Sequence, residues 1–250
     1  MKNRFLTFLR SMISSDIKAP VQNAKEASPL PDGAISRSEG LPNFKIEADT
    51  ESNIINLEGL DKARGSLRIG GVGNEISVGK RVSLNCQIRI QGKGNRLYIG
   101  DDCNLRGQIL IKGNSQTVSI GDSTTFQTVY LLCQEGCDIT VGRHCMFSRE
   151  IEVRTTDAHS LVDIPSGARL NKPQSIVIGD HVWVGLRALI NKGAFIPDDS
   201  IVGAAAFVNS AHEESHTVLA GVPAKVVRRG VTWNRGRKQS FTEEELWNWR

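Results

Sequence analysis

Aromatic residues are scarce in this 250-residue chain, which carries eight phenylalanines, four tryptophans and two tyrosines against 24 glycines. So few large flat side chains among so many glycines exclude one thick globular core and point to a thin core interrupted by turns. Long hydrophobic runs are missing too, since no stretch approaches the roughly 18 consecutive apolar residues of a transmembrane helix. Neither sign of charge dominates: 31 Lys+Arg stand against 27 Asp+Glu, for a formal net charge of +4. That small excess, with no RNP, zinc-knuckle or helix-turn-helix pattern beside it, argues against a nucleic-acid partner. The hydrophobic fraction of 39% is still too high for wholesale disorder. Cysteine is limited to Cys86, Cys103, Cys133, Cys137 and Cys145, an odd number. Met1–Ser15 does not read as a secretory signal, because Arg10 breaks its apolar run and no small-residue cleavage site follows. Free thiols in a reducing, cytoplasmic compartment are expected.

What the sequence does have is a repeat. Five consecutive 21-residue blocks align without gaps: Asp49–Ile69, Gly70–Ile90, Gln91–Ile111, Lys112–Leu132 and Cys133–Val153. Val78, Ile99, Ile120 and Val141 are each followed by glycine. Six residues on come Leu84, Leu105, Phe126 and Phe147, and six more give Ile90, Ile111, Leu132 and Val153. The small column between them holds Val82, Cys103, Thr124 and Cys145. Farther on the turn shortens to 18 residues, with Ile178, Val184, Ile190, Ile196, Val202 and Val208 in step.

A period of six fits neither a 3.6-residue helix nor simple alternation. It fits a coil of three short strands, each contributing one large and one small inward residue, with rungs stacked about 4.8 Å apart as parallel strands. Glycines at the corners would supply backbone freedom. The expected fold is therefore an all-β parallel β-helix. Cys103 and Cys145 fall in the small inward column and are expected to pack. Cys133 and Cys137 are spaced C-x3-C without a second pair, a poor zinc site.

From Val141 to Ile178 the spacing is 37 residues, so sixteen extra residues bulge from one rung within Arg154–Gln174. A solenoid tolerates such a loop only where it projects, and projecting loops tend to carry function. This one holds Arg154, Asp157, His159 and Arg169. His144 and His181 fall at turn positions and read as surface or corner residues. His212 and His216 lie four apart, but no third ligand accompanies them, and no metal is expected.

The Val/Ile-Gly starts, the stretch IGDHVWVGLRALINKGAFIPDDSIVGAAAFV and the ending LAGVPAKVVRRG resemble the hexapeptide-repeat acyltransferases, over about Asp49–Arg229. Asp-x-His before IGDHVWVG, and the Thr232–Arg235 tail, are most similar to the branch that O-acetylates bacterial surface polysaccharides or their sugar precursors. The resemblance implies a left-handed coil and a homotrimer with acetyl-CoA in a groove between neighbouring prisms. It maps the catalytic histidine to His159, a general base that takes the proton of a sugar hydroxyl, a task suited to an imidazole titrating near ~6.5. Asp157 would orient His159 or bind the sugar, and Arg154 would bind the sugar. Trp183 maps to the tryptophan beside the thioester, where it would position the acyl group and assist the oxyanion. Pantetheine would follow Gly185-Leu186 and Gly203-Ala204, the adenine end would meet Gly221, and Lys225 and Arg228 (with Arg229 beside them) would face the CoA phosphates. One departure stands out: where the family often has Thr-Lys, this chain has Asn209-Ser210, so one phosphate contact is missing.

The chain is thus expected to have residues 1–44 as an N-terminal helix and linker, 45–230 as the coil with its active-site loop at 154–175, and 231–250 as a tail with a helix. Phe5, Leu9 and Met12 give Met1–Ser15 a basic amphipathic pattern suited to a membrane surface or a partner. Thr242 and Glu245 form a capping-box pattern in a helix that would close the coil's open end. The expected activity is acetyl-CoA-dependent O-acetylation of a polysaccharide or sugar precursor. N-acetylation of an amino-sugar nucleotide and a non-catalytic scaffold remain as alternatives.

Overall fold

The structure, a computed structural model, describes residues 42–249. The amphipathic segment Met1–Ser15 lies outside the described residues. From Phe44 onward the chain is a stack of about eight turns built almost entirely of parallel strands, ended by a single antiparallel hairpin.

Each turn has three faces, taken here in the order the chain visits them. The first carries Thr125–Phe126, Met146–Phe147, Trp183–Val184, Ile201–Val202 and Thr217–Gly221. The second carries Phe44–Glu47, Val129–Gln134, Ile151–Arg154, Leu189–Asn191 and Phe207–Val208. The third is a separate seven-stranded sheet from Ile54–Asn56 to Phe195–Ile196. In the early turns Leu60–Gly70, Val82–Gln91 and Asn104–Lys112 run through the first two faces as single bent strands. Alternation along each strand turns Leu84, Leu105, Phe147, Ile190 and Val208 into one narrow buried core.

Strand register reproduces the sequence periods. Ile76 pairs with Leu97, Leu97 with Val118 and Val118 with Ile139, steps of 21. Val177 pairs with Phe195 and Leu189 with Phe207, steps of 18. Over two successive turns of the second face the gapless alignment fails, since Ile151 pairs with Val129, 22 residues back, as Val129 does with Gly107. On the second face Val129 pairs with Gly107 and Cys133 with Ile111, a step of 22, because Gln127-Thr128 adds a residue at the bend. Cys133 therefore takes the inward place expected for Leu132. Leu132 lies instead beside Arg154 and outside the core cluster.

The glycines after each Val/Ile start serve a different purpose from the one expected. The left-handed corner conformation falls to Arg81, Asp102, Ser123, His144, His181 and Asp199, with φ between 52° and 58°. The glycines are needed because the next rung sits directly above them: a Cβ on Gly142 would lie 2.4 Å from the Gly179 carbonyl oxygen. Rungs about 4.8 Å apart leave no room for it.

Two polar ladders hold the corners in register. At the corner between the second and third faces, Asn74 Nδ2 donates to Asn53 Oδ1 at 2.9 Å and Asn95 Nδ2 donates to Asn74 Oδ1 at 3.1 Å. Gln116 continues the stack through its backbone N–H to Asn95 Oδ1. Between the third and first faces, Asp101, Asp122, Asp180 and Asp198 each accept a backbone N–H from the preceding turn. Cys103 and Cys145 pack inward as expected. Burial pushes both thiols up to about 12.

The C-terminal helix forms with its capping box, over Glu243–Trp247. It does not close the open end. The antiparallel strand Ala224–Arg229 covers the last rung by pairing with Thr217–Gly221. The tail after it turns back along the side of the coil, where Arg235 reaches Thr125 Oγ1 and the Cys145 carbonyl oxygen.

Candidate functional site

The candidate residues are distributed over the three corners of the prism. Between the first and second faces, Gly185-Leu186 and Gly203-Ala204 stack on successive rungs: Gly185 N donates to Val202 O, Gly203 N to Leu219 O and Ala205 N to Leu186 O. One rung beyond, the hairpin brings Ala220 opposite Lys225 and Gly221 opposite Ala224. The positions assigned to pantetheine and adenine thus fall on one continuous edge. Gly185 is required there by rung stacking, since a Cβ would meet Ala204 N at 2.7 Å. At the far end Lys225 and Arg228 are exposed and have no carboxylate partner among the described residues, whereas Arg229 is taken by Glu214 at 2.8 Å. That leaves two free cations where phosphates are expected.

Trp183 stands on the first face just before this edge, paired with Met146 and Ile201 and 39% exposed. Its indole lies 6.2 Å from that of Trp233. The tail residue Trp233 is itself fixed, because its Nε1 donates to the His181 carbonyl oxygen at 2.8 Å. His181, expected as a surface or corner residue, sits at a corner but is buried there: its ring is stacked between Trp233 at 4.3 Å and Trp249 at 4.4 Å, and Nδ1 faces Asp199 Oδ1 at 2.9 Å. Thr232 Oγ1 donates to the same carboxylate. His216 sits 3.9 Å from its other oxygen and against Trp247. These contacts make a strap that no single-residue reading could find. In the sequence the tryptophans, the Thr232–Arg235 stretch and the capping box marked the tail but not these contacts.

The long loop leaves from the opposite corner, between the second and third faces. Leu161–Leu170 closes on itself as a small hairpin, with Leu170 N donating to Leu161 O and Val162 bridging Arg169 antiparallel. Two ties fix its base. Asp157 accepts from Lys192 Nζ and from Asn171 Nδ2, and the Lys192 ammonium, first among these partners, holds its carboxyl below the usual carboxylate range. Glu135 accepts from Thr156 and pairs with Arg169. His159 is exposed, and its backbone carbonyl accepts from Asn171 Nδ2 at 2.8 Å. Asp157 therefore anchors the loop and makes no hydrogen bond to the His159 ring. Arg154 is likewise turned to its own chain, with Nε on the Thr156 carbonyl at 2.9 Å and Nη1 near Glu152.

Within one chain the second face separates His159 from Trp183 and the Gly185 edge. That face is about six residues of extended chain wide, roughly 20 Å at ~3.3 Å per residue.

No family model matches the sequence. A polysialic acid O-acetyltransferase of Escherichia coli O1:K1 is 30% identical over 122 residues, which cover 49% of this chain and 39% of that protein. A polysialic acid O-acetyltransferase of Neisseria meningitidis is 30% identical over 112 residues, covering 45% and 52%. The chain thus spans about half or less of the length of these curated relatives. Among solved structures, that of the polySia-specific acetyltransferase NeuO superposes with a TM-score of 0.73 at 26% identity, over 80% of this chain and 92% of that one. Stacked parallel rungs and hexapeptide periodicity make the chain a parallel β-helix, and these likenesses make it similar, in fold and in part of its sequence, to β-helix acetyltransferases that act on polysialic acid.

Proposed function

We propose that this chain is an acetyl-CoA-dependent O-acetyltransferase acting on a hydroxyl of a bacterial surface polysaccharide or its sugar precursor, in the cytoplasm or at the inner membrane face. The observation that carries the reading is the shared edge: Gly185-Leu186, Gly203-Ala204 and the unpaired Lys225 follow one another along a single corner, with Trp183 and the unpaired Arg228 beside it in one column of the first face. An elongated thioester with anionic phosphates at one end matches that order of groups. The acyl end would lie beside Trp183, whose exposed indole N–H can meet the developing oxyanion.

His159 is the general base in this reading. Its imidazole takes the hydroxyl proton as the sugar oxygen attacks the thioester carbonyl. The tetrahedral intermediate then expels the CoA sulfur, which recovers the proton, so ester and free thiol form without an acyl-enzyme. Because His159 and the Gly185 edge occupy opposite corners, the reaction requires the loop of one copy to meet the edge of the next, as in a homotrimer. Asp157 serves the base indirectly, by locking the loop through Lys192 and Asn171.

The test is His159→Ala, with CoA release followed in the presence of acetyl-CoA and a panel of polysaccharides and sugar nucleotides. Turnover is expected to fall roughly 10²–10⁴-fold, the usual worth of a general base, with unfolding temperature and oligomeric state unchanged. A variant that keeps near-parental turnover overturns the role of His159. Product that resists mild alkali would indicate an amide and overturn O-transfer.

A further inference from the structure

The structure assigns Trp233 as a positioning residue for Trp183: the C-terminal strap fixes the indole that stands beside the proposed acyl site, so acyl transfer depends on a tail whose own ring is buried. This deepens the proposed function and rests on that reading for the role of Trp183.

Trp183 belongs to a two-residue strand, Trp183–Val184, in which Val184 turns into the core and the indole therefore turns outward. Its column on the first face holds Met146 on the rung before and Ile201 on the rung after. An outward side chain that is 39% exposed keeps rotamer freedom unless a neighbour removes it. Beside it the Trp233 ring lies at 6.2 Å with the planes tilted by 46°. That separation falls within the roughly 4.5–7 Å at which aromatic rings pair.

Trp233 is a fixed wall because three contacts hold it. Its Nε1 donates to the His181 carbonyl oxygen at 2.8 Å, its ring stacks on the His181 imidazole at an interplanar angle of 9°, and the Arg235 guanidinium lies 5.6 Å from its centroid. His181 is two residues before Trp183, so the strap grips the same rung whose indole it touches. The grip extends to the rungs on either side. Thr232 Oγ1 donates to Asp199 on the rung after, and Arg235 donates to the Cys145 carbonyl oxygen and to Thr125 Oγ1 on the two rungs before. Three residues of chain from Thr232 to Arg235, roughly 10 Å at ~3.3 Å each, match the two rungs of about 4.8 Å between Asp199 and Cys145. The tail is thus laid along the coil in register with it. Trp233 is only 6% exposed, too little to meet an acyl group or a sugar itself, and its effect reaches the reaction through Trp183. A displacement of ~1 Å in a group that meets the developing oxyanion is enough to cost about 10²-fold in rate.

The experiment compares Trp233→Ala, Trp233→Phe, Trp183→Phe and the double variant Trp183→Phe with Trp233→Ala, each in the full chain, by CoA release from acetyl-CoA with the acceptor the parent uses. Trp233→Ala is expected to lower kcat at least tenfold while KM for acetyl-CoA stays within threefold, because the Gly185 edge is untouched. Trp233→Phe keeps a ring against both His181 and Trp183 and is expected to recover all but about threefold of that loss. In the Trp183→Phe background there is no indole N–H to aim, so Trp233→Ala is expected to cost no more than threefold further. A merely structural role would repeat the full loss there. Parental kcat in Trp233→Ala, a loss carried by KM alone, a Trp233→Phe variant as slow as Trp233→Ala, or the tenfold loss repeated in the Trp183→Phe background would each overturn the inference. Parental kcat in Trp183→Phe, or a parent that releases no CoA with any acceptor, would instead overturn the reading on which it rests.

Discussion

At the scale of the residue, the same amino acid does different work at different corners. Asn95 is wholly buried, and its carboxamide accepts the Gln116 backbone N–H while donating to Asn74 and to the Gly113 carbonyl. Asp101 performs a similar backbone service at a solvated corner. Asn95→Ala should therefore cost about 1–3 kcal/mol, because it strands buried groups, and Asp101→Ala clearly less, since water replaces the lost acceptor. Urea unfolding of the two variants checks the difference. The period-21 spacing of Asn53, Asn74 and Asn95 was visible in the sequence, yet it carried meaning only once the side chains were seen to stack. Thiol chemistry follows the same logic. Cys86, Cys103, Cys133 and Cys145 are pushed up to about 12 by burial, which disfavours the thiolate. Iodoacetamide at pH 8 should thus label only the half-buried Cys137 in the folded chain and all five thiols in urea, as read by intact mass.

At the scale of the element, the loop and the tail were both legible as segments and neither as a device. Sixteen surplus residues marked the loop, but its anchoring through Lys192 to Asp157 joins residues on separate turns. Capping-box chemistry marked the helix, but its docking depends on His181, 52 residues before Trp233. Removing the indole in Trp233→Ala leaves His181 without one of its two stacking partners and Trp183 without its neighbour. A core-sized aromatic lost from a buried site costs about 3–5 kcal/mol; since the coil does not rest on the strap, the expected result is a tail that trypsin removes quickly from an otherwise folded chain. A tail as resistant as the parent's would overturn the strap.

At the scale of the whole molecule, the separation of His159 from the Gly185 edge makes a prediction about assembly. Two inactive variants, His159→Ala and Trp183→Ala, should regain activity when unfolded together and reassembled, since mixed trimers pair an intact loop with an intact edge. Random mixing at equal amounts restores about a quarter of the sites, by simple counting of neighbours in a closed ring. Absence of any recovery would place the whole site in one copy.

Periodicity alone determined the coil. Apolar residues every six positions can be buried together only by short strands folded into three faces, and rung length follows directly from block length. The tertiary structure decided what periodicity is blind to: where one extra residue is absorbed, so that Cys133 rather than Leu132 turns inward, and why glycine follows each Val/Ile start. It also decided which surfaces meet. Those outcomes depend on contacts between turns, and a linear pattern records spacing along the chain but not the few ångströms between one rung and the next.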